Sequence, residues 1–441
     1  MTRSKTLNSD KKFHLNLIAN SITLHAGLKE VERAAGVAPS ESRPVALYSE
    51  YAAIAEEGNF TSMFLADTLV AVGSPLAGGG SPEPFTALAA VAARTRNIGL
   101  IATGTTSFYE PYNLARLMAS LDLISDGRAG WNCVTGALAT AAPNFGSDPL
   151  PPREERYARA DEFLDVVSGL WDRRTLRPNE RGGTDLFAEA VNHHGKYFDV
   201  EGPLNVAPSR QGRPLVGLAG GSGSQISTAI KHADVVFTNA VSREVAAEYR
   251  SEMNQSLVAA GRKPDSIPIM PMIVPFLGAT RAEAEERKRS LDMHLEVDAM
   301  APNALANFGI SYSYDDVDDP FPVDVLPHPQ TVKSTIGGAW GSYRGLYNWI
   351  QERPGVTVRE VTLQASLGQS HQKFVGSYDD FCDDIELWFR EGLAAGFLLM
   401  CPEGLESANG FVEHLVPRLI DRGIYRTTPD ERPLRERFTC T

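Results

Sequence analysis

Along the chain, short apolar runs alternate with stretches whose apolar residues recur at helical spacing. Runs at 13–19, 61–67, 97–107 and 128–136 read as buried strands, which carry near-continuous apolar sequence when both faces are covered. Between them, 44–57, 83–94 and 111–125 carry the helical pattern, each with a proline at or near its start, where the missing N–H costs no hydrogen bond. The alternation continues with a helix over 156–171, strands at 214–219, 235–238, 267–277 and 396–400, and helices at 224–232, 244–260, 379–392 and 409–422. Eight strand–helix units predict an α/β chain folded as a single (β/α)8 TIM barrel.

Two stretches break the rhythm. Residues 172–213 are turn-rich and predict a small excursion from the barrel. Residues 281–370 begin as a charged helix and become irregular, with the acidic run Asp315, Asp316, Asp318 and Asp319 and prolines at 320, 322, 327 and 329. A polar insertion of this length predicts a lid with too little apolar pattern to dock permanently.

Composition narrows the classes. The 441 residues are 43% hydrophobic and 22% charged, which suits a globular chain with material for insertions beyond the roughly 250 residues of a plain barrel. A net charge of −13, without basic runs interleaved with aromatics, argues against a nucleic-acid partner. No run approaches the roughly 18 apolar residues of a membrane span, and the N-terminal apolar stretch is broken by His14, Asn16 and Asn20. The scattered Cys133, Cys382, Cys401 and Cys440 include no Cys-x-x-Cys pair, which fits a reducing cytoplasm. His193 and His194 are adjacent and would point to opposite faces of a strand, so no metal site is expected.

In a parallel barrel the functional groups gather at the carboxyl ends of the strands, where Asp67, Thr103, Thr105, Asn132 and Thr135 fall. Asp67 reads equally as a helix cap, a loop ion pair or a ligand contact. Gly220, Gly221, Ser222, Gly223 and Ser224 could cradle an anion at a helix start or simply make a tight strand-to-helix turn. Glu83 and Glu110 each precede a proline and fit helix starts as well as an acid pair, and no residue is assigned as acid or base. Trp131 and Tyr157 read as packing residues.

Several motifs in one order resemble the bacterial-luciferase-like flavin monooxygenases, and within them the nitrilotriacetate monooxygenase subfamily. They are Phe64-Leu65-Ala66-Asp67, Ile98-Gly99-Leu100-Ile101-Ala102-Thr103, Glu110-Pro111-Tyr112, Gly127-Arg128-Ala129-Gly130-Trp131-Asn132, Arg156-Tyr157, Gly202-Pro203-Leu204-Asn205, Ala219-Gly220-Gly221-Ser222 and Trp388-Phe389-Arg390-Glu391-Gly392. The resemblance implies a barrel that binds FMN as FMNH2, supplied by a separate NAD(P)H-dependent flavin reductase, and uses O2 to oxygenate a small organic substrate. It further implies Asp67 and Thr105 near the isoalloxazine, Tyr157 and Ser222 near the ribityl phosphate beside Gly221, and Thr103, Thr106 and Asn132 as further neighbours. Arg153 stands where relatives commonly carry a histidine four residues before the tyrosine; a guanidinium could hold the phosphate but could not shuttle a proton. The segment Ile22-Thr23-Leu24-His25-Ala26-Gly27 also departs from the family's Gly-His-His pattern. A homo-oligomer is expected. The rival readings are a deazaflavin-dependent oxidoreductase on the same barrel and a non-catalytic flavin-binding protein.

Overall fold

The computed structural model describes residues 11–19, 28, 44–67, 69–70, 82–136, 139–146, 150–220, 223–239, 242–336, 340–366 and 372–439. Strands β1 (His14–Ile18), β2 (Ser62–Leu65), β3 (Gly99–Thr105), β4 (Ala129–Val134), β5 (Leu215–Ala219), β6 (Val235–Thr238), β7 (Ile269–Gly278) and β8 (Gly396–Leu399) pair in parallel in chain order. β8 then pairs with β1 and closes the ring, His14 lying opposite Gly396. Around the ring run α1 (Pro44–Glu57), α2 (Pro84–Ala92), α3 (Pro111–Ile124), α4 (Arg153–Asp172), α5 (Gly223–His232), α6 (Arg243–Ala259) and α7 (Arg281–Asp292). The eight strands are those the hydrophobic pattern predicts.

Each strand alternates between two cores. In β3, Leu100 and Ala102 pack in the large cluster under the helices, while Ile101 joins Ile18, Phe64, Leu215, Phe237 and Leu398 inside the barrel. In β4, Trp131 and Cys133 face the helices, which turns Asn132 inward. Gly217 leaves room for an inward ring: a Cβ there would lie 2.5 Å from Phe237.

The helix Leu434–Phe438 closes the amino-terminal end of the barrel, and it accounts for Gly99 in the motifs above. A Cβ on Gly99 would meet Leu434 at 2.3 Å, whereas one on Gly130 would meet Ile101 and Leu215 of the barrel interior at 3.1 Å. The Gly127 carbonyl, in a residue with φ of +75°, accepts from the Leu434 N–H at 3.0 Å. Arg128 is 3% exposed, and its guanidinium donates to the carbonyls of Ser125, Ile98, Ala92 and Thr95 and to the Thr95 hydroxyl. Asp122, beneath β4, accepts from Ser209 Oγ at 2.5 Å, from the Ala129 N–H at 3.2 Å and from Gln211. Burial pushes its pKa up to about 6, although these three bonds pull the other way.

The excursion at 172–213 is two antiparallel hairpins, Arg174–Pro178 with Thr184–Ala188 and His193–His194 with Asp199–Val200. A strand the pattern does not suggest, Gln372–Ser377, pairs along Ile273–Gly278 of β7. Lys373 and the polar ends interrupt its apolar run, so its strand character comes from β7 and from the packing of α7 against both. Between α7 and this strand hangs the insertion, which differs from the irregular lid expected. Val297, Leu305, Phe308, Val317, Phe321, Tyr343, Ile350 and Val361 are among the buried residues of a separate apolar core. Its pattern is hard to read because short helical turns bring in apolar residues singly, held by bonds such as Phe321 N–H to the Val356 carbonyl at 2.7 Å. Among the described residues, no helix is long and apolar enough to cross a membrane.

Candidate active site

At the carboxyl ends of β3 and β4, the alternation that sends Ile101 inward does the same for Thr103 and Thr105, and β4 contributes Asn132 opposite Thr103. Asn132 is 4% exposed and donates from Nδ2 to Thr103 Oγ1 at 3.0 Å. Its Oδ1 is buried and has no hydrogen-bond partner among the described residues. A buried acceptor left open costs about 1–3 kcal/mol, and an N–H or O–H donor placed at this corner would offset that cost. Thr105 Oγ1 accepts from the Ser107 N–H at 3.2 Å, and a Cβ on Gly136 would approach that oxygen to 2.8 Å. Gly136, with φ of +66°, thus lets the β4 turn press against Thr105. Thr106 is fully buried; its N–H donates to the Val134 carbonyl at 2.9 Å, which fastens the two strand ends together.

Asp67 follows β2 and belongs to an acidic edge with Glu83 and Tyr109. Burial, then Glu83 and then Asp67, push the Tyr109 hydroxyl up to about 12, so it stays a neutral donor. Glu83 is the cap of α2, accepting from the N–H groups of Phe85 at 2.8 Å and Thr86 at 2.9 Å, so the helix-start reading describes it. Phe108 and Phe145 stack at 4.6 Å and add an apolar wall near the β3 and β4 turns.

A second group of residues lies on the first turns of α4. The Arg153 guanidinium lies over the Tyr157 ring at 5.1 Å, both half-buried. Arg156 donates to the Gly136 carbonyl and, at 3.1 Å, to the Pro151 carbonyl, tying α4 to the same β4 turn that supports Thr105. Gly221 and Ser222 lie outside the described residues; the helix that follows them, α5, begins at Gly223. Trp131 is a packing residue, buried with its indole N–H donating to the Gly104 carbonyl at 3.0 Å. Tyr112 and Pro203, from two separate motifs, meet through a 3.3 Å bond from the Tyr112 hydroxyl to the Pro203 carbonyl.

Two titratable groups near the strand ends escape the sequence reading. Tyr109 precedes Glu110 in a turn and carries no pattern of its own. Glu403 follows β8 beyond Pro402, and burial, aided by Glu406, pushes its pKa up to about 7 although Arg287 lies 3.6 Å away. The signal available for Glu403 was a carboxylate just past a strand's carboxyl end; its shift comes from burial, and its ion-pair partner Arg287 lies 116 residues earlier, on α7.

Comparison with known proteins agrees with this fold. The model of the luciferase-like monooxygenase family matches residues 31–328. N-acetyl-S-(2-succino)cysteine monooxygenase of Bacillus subtilis is 34% identical over 418 residues, with 91% of each chain covered. Nitrilotriacetate monooxygenase component A of Aminobacter aminovorans is 34% identical over 420 residues, with 90% of each covered. Among solved structures, EDTA monooxygenase from Chelativorans sp. BNC1 superposes with a TM-score of 0.80 at 27% identity, covering 97% of this chain and 98% of that one.

Proposed function

The chain belongs to the luciferase-like monooxygenase family, and from that premise we propose that FMNH2, delivered by a separate flavin reductase, binds in the barrel mouth. The chain is a flavin-dependent monooxygenase that oxygenates a small organic substrate with O2. The observation that carries the proposal is the open Asn132 Oδ1 beside Thr103, at the carboxyl end of two barrel strands. A reduced isoalloxazine presents N–H groups along one edge, which suits an acceptor that the protein leaves open. Bound there, the reduced flavin supplies two electrons to O2, so that one oxygen atom enters the substrate and the other leaves as water.

The chain's own residues bind, orient and exclude water. Asn132 and Thr103 fix the polar edge of the ring system, and Thr105 and Asp67 border it. Arg153 and Tyr157, with Gly221 and Ser222, hold the phosphate; Arg153 does so by charge and takes no part in proton transfer. Phe108 and Phe145 keep one wall apolar, and the insertion covers the mouth during turnover. A relative named as a component A supports a second component that reduces the flavin. The monooxygenase names of relatives at 34% identity favour oxygenation over deazaflavin hydride transfer.

The purified chain with NADH or NADPH, FMN and air should consume no pyridine nucleotide, and adding a general flavin reductase should start O2 uptake. Vigorous NADH oxidation by the chain alone would overturn the two-component reading.

A further inference from the structure

On the outer surface, α4 and α5 bring together three groups that none of the flavin chemistry uses. Asp161 and Asp165, one helical turn apart on α4, share a face. His232, the last residue of α5, turns its imidazole toward them with a side chain only 4% exposed. Its Nε2 is buried, 3.3 Å from Asp161 Oδ1 and 3.7 Å from Asp165 Oδ1, and makes no aligned hydrogen bond among the described residues. The other carboxylate oxygens are taken by Lys231, whose ammonium lies 3.1 Å from Asp161 Oδ2 and 2.7 Å from Asp165 Oδ2.

The geometry points to a divalent transition-metal site of zinc type, formed by Asp161 Oδ1, Asp165 Oδ1 and His232 Nε2. Tetrahedral ligands at zinc bond lengths of about 2.0–2.1 Å are about 3.3 Å apart, close to the two separations from Nε2. One ligand atom from each residue lies within 4.8 Å of the others. The carboxylates are 41% and 44% exposed, so an ion has a path from solvent and water can complete the coordination. One imidazole with two carboxylates also selects against calcium and magnesium, which prefer oxygen. Lys231 is the built-in competitor: it holds the two carboxylates together without an ion and weakens metal binding by its charge. Bound metal would join α4 to α5, the helices whose first turns carry or adjoin the phosphate-binding candidates.

The test is calorimetric titration of the untagged, chelator-stripped, flavin-free chain with Zn2+, with melting curves at each ratio. The wild type should bind one ion per chain and melt higher with zinc, by mass action. His232→Gln and Asp161→Asn should each weaken binding at least about tenfold, since loss of even an outer partner of a metal ligand costs that much. Lys231→Met should bind more tightly than the wild type. Equal affinity in the wild type and His232→Gln would mean adventitious binding by surface carboxylates, and absence of binding in both the wild type and Lys231→Met would overturn the site.

Discussion

The two ends of the barrel are built on opposite terms. At the amino-terminal end most of the polar groups are paired: Arg128 fills its donor set with four carbonyls and a hydroxyl, Arg437 donates to the Asn97 carbonyl at 2.7 Å, and Leu434 fits against Gly99, while Arg426 Nε is a buried donor without a partner among the described residues. At the carboxyl end, Asn132 keeps a buried acceptor open and Glu403 carries a carboxyl raised to about 7. The contrast teaches where this chain stores stability and where it leaves bonding capacity for a ligand. Substitutions at the closed end should change folding, and substitutions at the open end should change binding.

The largest expected effect on stability is at the tail. Leu434→Ala should destabilise the chain by about 2–5 kcal/mol, the usual range for a large buried side chain cut to alanine. Denaturant unfolding checks it, and flavin affinity of the remaining folded protein should hold. Gly99→Ala alone should cost about 1–3 kcal/mol by overpacking, and less in the Leu434→Ala background, which removes the 2.3 Å contact with Leu434 and leaves the 2.9 Å contact with the Thr61 carbonyl.

A smaller effect is at Asp122. Its folded-state pKa, about 6, lies above the ordinary 3.8, so the native state holds the proton more tightly than the unfolded chain. The associated stability is fully present below about pH 4 and is lost as pH rises to about 6. Asp122→Asn should flatten the stability profile across that window, measured as the urea midpoint at successive pH values. An unchanged slope would remove Asp122 from the account of the closed end.

Smaller still should be the effect of excising the insertion. α7 and the strand Gln372–Ser377 pack side by side and form a continuous unit with β7, while the insertion has its own core. Replacing 294–366 with a short Gly-Ser linker should move barrel melting by no more than about 2–4 °C, the equivalent of ~1 kcal/mol. With a coupled reductase, the truncated enzyme should release more hydrogen peroxide per NADH than the full chain. Unchanged coupling would make the insertion a structural elaboration.

The fold was legible because the barrel strands are largely apolar runs and the first three barrel helices begin at a proline. α1, predicted at 44–57, is Pro44–Glu57 in the structure. Thr103, Thr105 and Asn132 were legible as strand-end residues, and strand alternation brings Thr103 and Asn132 into contact. What escaped depends on distant partners. The insertion's core is assembled from residues far apart in sequence, Gln372–Ser377 becomes a strand only beside β7, and Glu403 is shifted by its surroundings. His193 and His194 do take different partners, Glu162 and Asp199, as adjacent strand residues should. The histidine that matters for a cation, His232, carried no motif because its two carboxylates lie about 70 residues earlier.

The contrast between the two ends is tested most directly by anaerobic titration of photoreduced FMN and reduced riboflavin into the wild type, Asn132→Leu and Arg153→Ala, with unfolding measured on the same samples. Asn132→Leu should weaken both flavins by about tenfold, the equivalent of ~1.4 kcal/mol, with a change in stability of no more than about 1 kcal/mol, since it removes an unpaired buried acceptor together with one hydrogen bond to Thr103. Arg153→Ala should weaken FMN by about tenfold or more and leave riboflavin almost unchanged, because only FMN carries the phosphate. Full flavin affinity in Asn132→Leu, or equal losses for both flavins in Arg153→Ala, would contradict a flavin site at the open end of the barrel.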